Sequence, residues 1–215
     1  MKSRIVITRS GRDIRGKFPS LKLKRYVHCE SPLERDAASL FEFHPLVLSY
    51  QEQPLMELYY DSSGVQRTCY PDFLLRFTGG DELLVEVKSR SELARHSVRS
   101  TLDCIARHFT AQGRQYRVIT EEAIWRQPLR DNLWQLEKAR QAHCGQPADD
   151  QLTGRLDARR LYTLGELERV MGSVSLTLNL VAIGLLRTNL EHSLLQDAKF
   201  WLATNTEAGH GAFLI

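Results

Sequence analysis

Tyr70-Pro71-Asp72-Phe73-Leu74-Leu75-Arg76-Phe77 and Leu83-Leu84-Val85-Glu86-Val87-Lys88 decide how this chain folds, because they set acids and a base inside two otherwise apolar strands. Side chains alternate between the faces of a strand. Glu86 and Lys88 therefore share one face, while Leu83, Val85 and Val87 share the other and can enter a core. The Gly-rich turn Thr78-Gly79-Gly80-Asp81 joins the two segments as a hairpin.

Two carboxylates and an ammonium that packing does not require are the groups of metal-assisted phosphodiester hydrolysis. Carboxylate oxygens are the ligands hard cations such as magnesium take, and a neighbouring lysine can orient or deprotonate a water. Asp72, Glu86 and Lys88 follow the order PD…(D/E)-x-K of a large group of nucleases. The alternative is a solvated hairpin face, since Pro-Asp is a common turn dipeptide.

Outward from the hairpin, Ser31-Pro32-Leu33-Glu34 predicts a helix start, with Ser31 as N-cap, Pro32 in the first position and Glu34 closing a capping box. The helix runs to Glu42 or Phe43 and buries Leu33, Ala37, Leu40 and Phe41. Strands are expected over 47–53, 55–60, 68–77 and 82–88, punctuated by Pro54 and Asp61-Ser62-Ser63-Gly64. Beyond them, Val98, Leu102, Ile105 and Phe109 predict one amphipathic helix over 91–111, ended by Gly113, and Tyr116 to Thr120 a further strand. That order is α/β, a mixed sheet in which a crossover helix returns the chain to pair a last strand. Arg95 and Arg99, one turn apart, either grip phosphates or form a solvated face.

The chain has 215 residues and a net charge of +3, unevenly spread. Residues 1–28 carry nine Lys or Arg, among them Lys17, Lys22, Lys24 and Arg25, against the single acid Asp13. Such an arm attracts phosphate backbones, or is a solvated tail. Cys29, Cys69, Cys104 and Cys144 are too dispersed for a zinc site and read as reduced thiols. No run reaches the ~20 apolar residues of a membrane span and no signal-peptide core follows the basic start, so a cytoplasmic protein is expected. Residues 141–160 read as a polar linker, and 161–215 as a small winged-helix-like helical domain opened by the capping box Thr163-Leu164-Gly165-Glu166. Gln53 is expected to bond a strand edge. Trp125 and Trp134, with Leu129 and Leu133, are expected to pack the end of the domain spanning 29–140 rather than to stack on bases.

Six blocks taken together, Gly16-Lys17-Phe18-Pro19-Ser20, Glu30 to Asp36, Leu40-Phe41-Glu42-Phe43, Tyr50-Gln51-Glu52-Gln53-Pro54, Tyr70-Pro71-Asp72-Phe73 and Val85-Glu86-Val87-Lys88, resemble the TnsA family of heteromeric transposon endonucleases in order and spacing. The resemblance covers about residues 15–140. It implies a restriction-endonuclease-like core flanked by helices and a magnesium-dependent enzyme, with one or two ions and manganese as a substitute. That enzyme cuts the 5′ ends of a mobile element in double-stranded DNA, leaving a 5′-phosphate and a 3′-hydroxyl. Its implied partners are a TnsB-like DDE transposase and a TnsC-like AAA+ ATPase. Glu34, Asp72 and Lys88 fall on the family's catalytic positions and Glu86 on the remaining acidic or polar one, so Glu34, Asp72, Glu86 and the carbonyl of Val87 are the implied metal ligands. The capping box alone also explains Glu34, and the two roles compete geometrically. The competing readings are an autonomous restriction, repair or phage nuclease and a non-catalytic DNA-binding regulator.

Overall fold

The computed structural model describes residues 16–145 and 153–204. The basic residues as far as Arg15, the centre of the expected linker and the last residues of the C-terminal segment lie outside them. The described chain divides into two compact units, residues 16–42 with 46–124 and residues 43–45 with 125–204.

The first unit is built on a four-stranded mixed sheet in the order β3 (Val47–Glu52), β6 (Phe73–Phe77), β7 (Glu82–Val87), β8 (Gln115–Ile119). Strands β3, β6 and β7 pair antiparallel, and β7 pairs β8 in parallel. A parallel pair needs a crossover, and α2 (Arg90–Leu93) and α3 (His96–Ala111) supply it. Alternation along the strands explains both faces. Phe41 of α1 (Pro32–Phe43) meets Tyr50 and Phe73 edge-on, at 5.9 and 5.2 Å between ring centroids. On the opposite face, Leu74 and Leu84 pack with Cys104, Ile105 and Phe109 of α3. The mixed sheet flanked by helices is the expected restriction-endonuclease-like architecture.

Three local expectations are corrected. Residues 68–77 are not one strand: β5 (Gln66–Cys69) pairs with β4 (Glu57–Tyr60) in a separate hairpin, and Tyr70-Pro71-Asp72 bridges to β6. Pro71 has no N–H to give a ladder, which breaks the strand just before Asp72. The helix over 91–111 is two helices. A capping box between Ser89 and Glu92 opens α2, and Arg95, in extended conformation, restarts the chain as α3. Residues 16–28 are not an open arm. They form a hairpin of β1 (Gly16–Ser20) and β2 (Arg25–Cys29) with Phe18 and Val27 fully buried.

Buried Glu42 fastens that hairpin to α1. Its carboxylate accepts from Ser20 Oγ at 2.6 Å, Leu21 N at 2.8 Å, Lys22 N at 3.4 Å and Tyr50 Oη at 2.9 Å. The four thiols are free, three of them buried.

In the second unit, β9 (Tyr162–Thr163) leads into α6 (Leu164–Met171), whose Thr163–Glu166 capping box forms as the sequence predicts. Gly172, at φ +78°, ends α6 in the left-handed conformation glycine tolerates, and α7 (Val174–Ala182) follows. β10 (Leu186–Thr188) and β11 (Lys199–Leu202) complete a three-stranded antiparallel sheet in the order β10-β11-β9. After the short α4 (Glu121–Ile124) of the first unit, the second unit also holds α5 (Leu129–Ala142), most of which falls in the range expected for the preceding domain. Asn132 of α5 donates to the carbonyls of Leu190 and His192 at 2.9 and 2.8 Å, and Leu129, Leu133 and Leu136 are buried. The division therefore falls at Ile124, ahead of residue 140. Trp125 and Trp134 do not pack an end: they are 38% and 60% exposed.

Candidate active site

Asp72 and Lys88 sit at equivalent places, one residue before β6 and one residue after β7, where the sheet's hydrogen-bond ladder runs out. The register pairs Phe73 with Val85 and Leu74 with Leu84, so Asp72 lies across from Glu86 on the same face. Asp72 is pinned at both ends. Its carbonyl accepts from Gln53 N at 2.8 Å, and its Oδ2 accepts from Val87 N at 2.7 Å. Lys88 N continues the parallel ladder to Ile119 O at 3.1 Å.

The Lys88 ammonium is the point on which the site converges. It lies 2.7 Å from Glu86 Oε1, 3.2 Å from Val87 O and 3.6 Å from Asp72 Oδ2. The three side chains are largely buried, with exposures of 25% for Lys88, 12% for Glu86 and 16% for Asp72. Oxygens of two carboxylates and a carbonyl around one positive centre are the donor set that hard cations prefer. These residues fit a divalent ion.

Electrostatics say the same. Burial lifts the Asp72 carboxyl above its usual range, against the pull of Lys88 and Val87 N–H. Burial, then the charge of Asp72, lifts Glu86, with Lys88 opposing. Lys88 is held protonated: burial works against its charge, but Asp72 and Glu86 outweigh it and raise its pKa. More negative charge is gathered here than one ammonium neutralises.

Glu34 is near this group but turned to another task. Its Oε2 accepts from Glu30 N at 2.7 Å and its Oε1 from Ser31 Oγ at 3.1 Å, while Ser31 Oγ accepts from Glu34 N at 3.1 Å. It still feels the site, since burial first and Asp72 second push its carboxyl up to about 7. Among the described residues, no three Asp, Glu, His or Cys side chains are drawn together as a ready metal cluster. Asp72, Glu86, Val87 and Lys88 are brought together, and Glu34 stands at the rim as a helix cap.

The expected phosphate-contacting cations divide into two sets. Lys22 donates to the carbonyls of Phe41 and Val47 at 3.0 and 2.7 Å, and Arg25 forms two 2.6 Å bonds with Glu52. Both are engaged within the fold. Lys17, Lys24, Arg95 and Arg99 are exposed, the last two at the start of α3, where Arg95 makes only a 3.8 Å contact with Glu92.

Two further neighbours border the site: Gln53, expected to bond a strand edge, and Tyr116, whose place beside Glu86 no sequence signal gave. Gln53 bonds the Asp72 carbonyl through its main chain, not its side chain, and its backbone takes φ +40°. Its buried Oε1 and the buried hydroxyl of Tyr116 have no hydrogen-bond partner among the described residues. Tyr116 pairs with Leu84, which puts it on the face carrying Glu86. Burial, Glu86 and Asp72 all raise its phenol pKa. The register of β8 against β7 was the missing signal, and a parallel pairing is not visible in either strand alone.

Residues 44–121 match a family model described as TnsA-like endonuclease N terminal. The match includes Asp72, Glu86 and Lys88, and Glu34 lies before it. No curated protein matches the chain. The segment from β3 to β8 is therefore similar to the N-terminal domain of TnsA-like endonucleases.

Proposed function

We propose, with residues 44–121 as a TnsA-like endonuclease domain, that this chain hydrolyses one strand of duplex DNA at the ends of a mobile element. The observation that carries the reading is the convergence of Glu86 Oε1, Val87 O and Asp72 Oδ2 on the Lys88 ammonium. Asp72, Glu86 and the Val87 carbonyl would hold magnesium, one ion or two, with Glu34 joining when its carboxylate leaves the helix cap. The metal's contribution when bound is a water of lowered pKa and stabilisation of charge on the scissile phosphate.

The protein's own groups do the rest. Val87 N–H holds the Asp72 carboxylate in one rotamer, so its free lone pairs stay aimed at the site. Lys88, kept charged by its acidic neighbours, orients the attacking water and offers a proton donor to the developing oxyanion. Lys17, Lys24, Arg95 and Arg99 supply phosphate contacts that position the duplex without reading its sequence. The second unit is read as winged-helix-like, supported by α6 and α7 joined at Gly172 and by the β10-β11 hairpin closing on β9.

The expected partners are a TnsB-like DDE transposase for the 3′ ends and a TnsC-like AAA+ ATPase. The test is cleavage of an end-labelled transposon-end duplex in magnesium, with and without the neighbouring transposase. Cutting at the 5′ end that depends on the transposase supports the reading. Efficient cutting of any plasmid by the chain alone would replace the transposition role with that of an autonomous nuclease.

A further inference from the structure

Helix α5 of the second unit buries Leu129, Leu133 and Leu136 and turns a second stripe outward. Arg130, Trp134 and Lys138 follow one another at four-residue spacing and are all exposed. Residues so spaced lie one above the next along a helix. Trp125, just before the helix, extends the stripe: the Arg130 guanidinium lies over its ring at 4.9 Å. Lys138 Nζ lies over the Trp134 ring at 5.6 Å. Trp134 keeps 60% of its surface in water and Trp125 38%.

Two indoles left outside a core that already has its leucines call for an explanation, because tryptophan is normally well buried and is enriched where partners bind. The cations fix what kind of partner fits. Arg130 and Lys138 flank the indole faces, while the adjacent acid, Asp131, is tied to Gln127 Nε2 at 3.0 Å. Flat aromatic faces interleaved with cations form a stacking platform for bases with a phosphate grip beside it. We infer that the Trp125–Arg130–Trp134–Lys138 stripe binds a DNA strand with unpaired bases, such as a frayed or nicked end. The bases stack on Trp134 and Trp125, and the phosphates lie against Arg130 and Lys138. This rests on the nuclease reading only for the presence of DNA.

The protein provides its own reporter. The sequence has three tryptophans, and the third, Trp201, is 5% exposed, so quenching by a ligand reports the stripe. The full chain, in EDTA so that nothing is cut, is titrated with oligo(dT), with a blunt duplex and with poly-glutamate while fluorescence is followed. Oligo(dT) is expected to quench with an affinity that falls as salt rises. Trp134→Ala should weaken it about ten-fold with an unchanged melting temperature. The titration needs no cleavage, so a failed nuclease assignment would leave this result standing. No quenching by oligo(dT), equal quenching by poly-glutamate, or full affinity in Trp134→Ala would each overturn the inference, the second by assigning the stripe to an acidic protein segment.

Discussion

Glu42 and Glu86 are both carboxylates inside the first unit, and they are treated in opposite ways. Glu42 receives a hydroxyl from Ser20, a hydroxyl from Tyr50 and two main-chain N–H groups, which together hold its carboxyl group in one place. Glu86 faces Asp72 across the hairpin, shares the field of Glu34 and has the Lys88 ammonium at 2.7 Å. A carboxylate that accepts from several fixed donors is a fastener, since its oxygens are committed to the fold. A crowded set of acids around one ammonium retains affinity for more positive charge, and that residual affinity is what a cation or a reacting phosphate can use.

The largest test of this contrast is on cutting. Asp72→Asn and Lys88→Ala should each lower strand cleavage by about 10²–10³-fold while the melting temperature stays near wild type. Glu42→Ala should do the reverse. It leaves Ser20, Tyr50 and two N–H groups without an acceptor and should cost about 3 kcal/mol in denaturant unfolding, with residual activity tracking the folded fraction. A stable Glu42→Ala or an unfolded Asp72→Asn would erase the distinction.

The crowding also predicts a pH dependence of stability for the metal-free chain. Glu34 is held at about 7 when folded, against about 4.3 in an unfolded chain, so the folded state binds the proton more tightly. Its contribution is complete below about pH 4.3 and is lost as pH rises through 7. Asp72 and Glu86, also raised, act in the same direction. Thermal unfolding in EDTA should therefore show a falling midpoint from about pH 5 to about pH 8, and Glu86→Gln should flatten the slope. A midpoint that rises over that window would contradict the electrostatic picture.

The smallest expected effect separates Glu34's two roles. Glu34→Ala should cost about 1 kcal/mol by loss of the cap, and Glu34→Gln, whose amide oxygen can still accept from Glu30 N while its NH2 donates to Ser31 Oγ, should recover most of it. Cutting should stay impaired in both if the carboxylate also serves the cation. Full cutting by Glu34→Gln would leave it a cap alone.

What the sequence disclosed follows from how local each signal is. The hairpin with its acids, the start of α1 and the C-terminal capping box are written in neighbouring residues, and they appear as expected. The broken strand before Asp72 was legible in Pro71, and the start of α2 in the Ser89–Glu92 box, whereas Arg95 restarts the chain with no side-chain cap to announce it. Leu129 and Leu133 are legible as packing residues but helix α5 is not among the sequence expectations, and which unit it joins depends on Asn132 reaching Leu190, 58 residues away. The basic character of residues 16–28 concealed a hairpin, because charge describes the exposed positions while Phe18 and Val27 decide the fold. Tyr116 and the saturation of Glu42 depend on long-range pairing.

Calorimetric titration of manganese into the chain shows whether the oxygens around Lys88 take a divalent cation. Wild type and Glu42→Gln should bind, the latter at a temperature where it is folded, and Asp72→Asn should lose binding by an order of magnitude or more. No binding to the wild type in the presence of end duplex, or equal binding to Asp72→Asn, would contradict a cation site there.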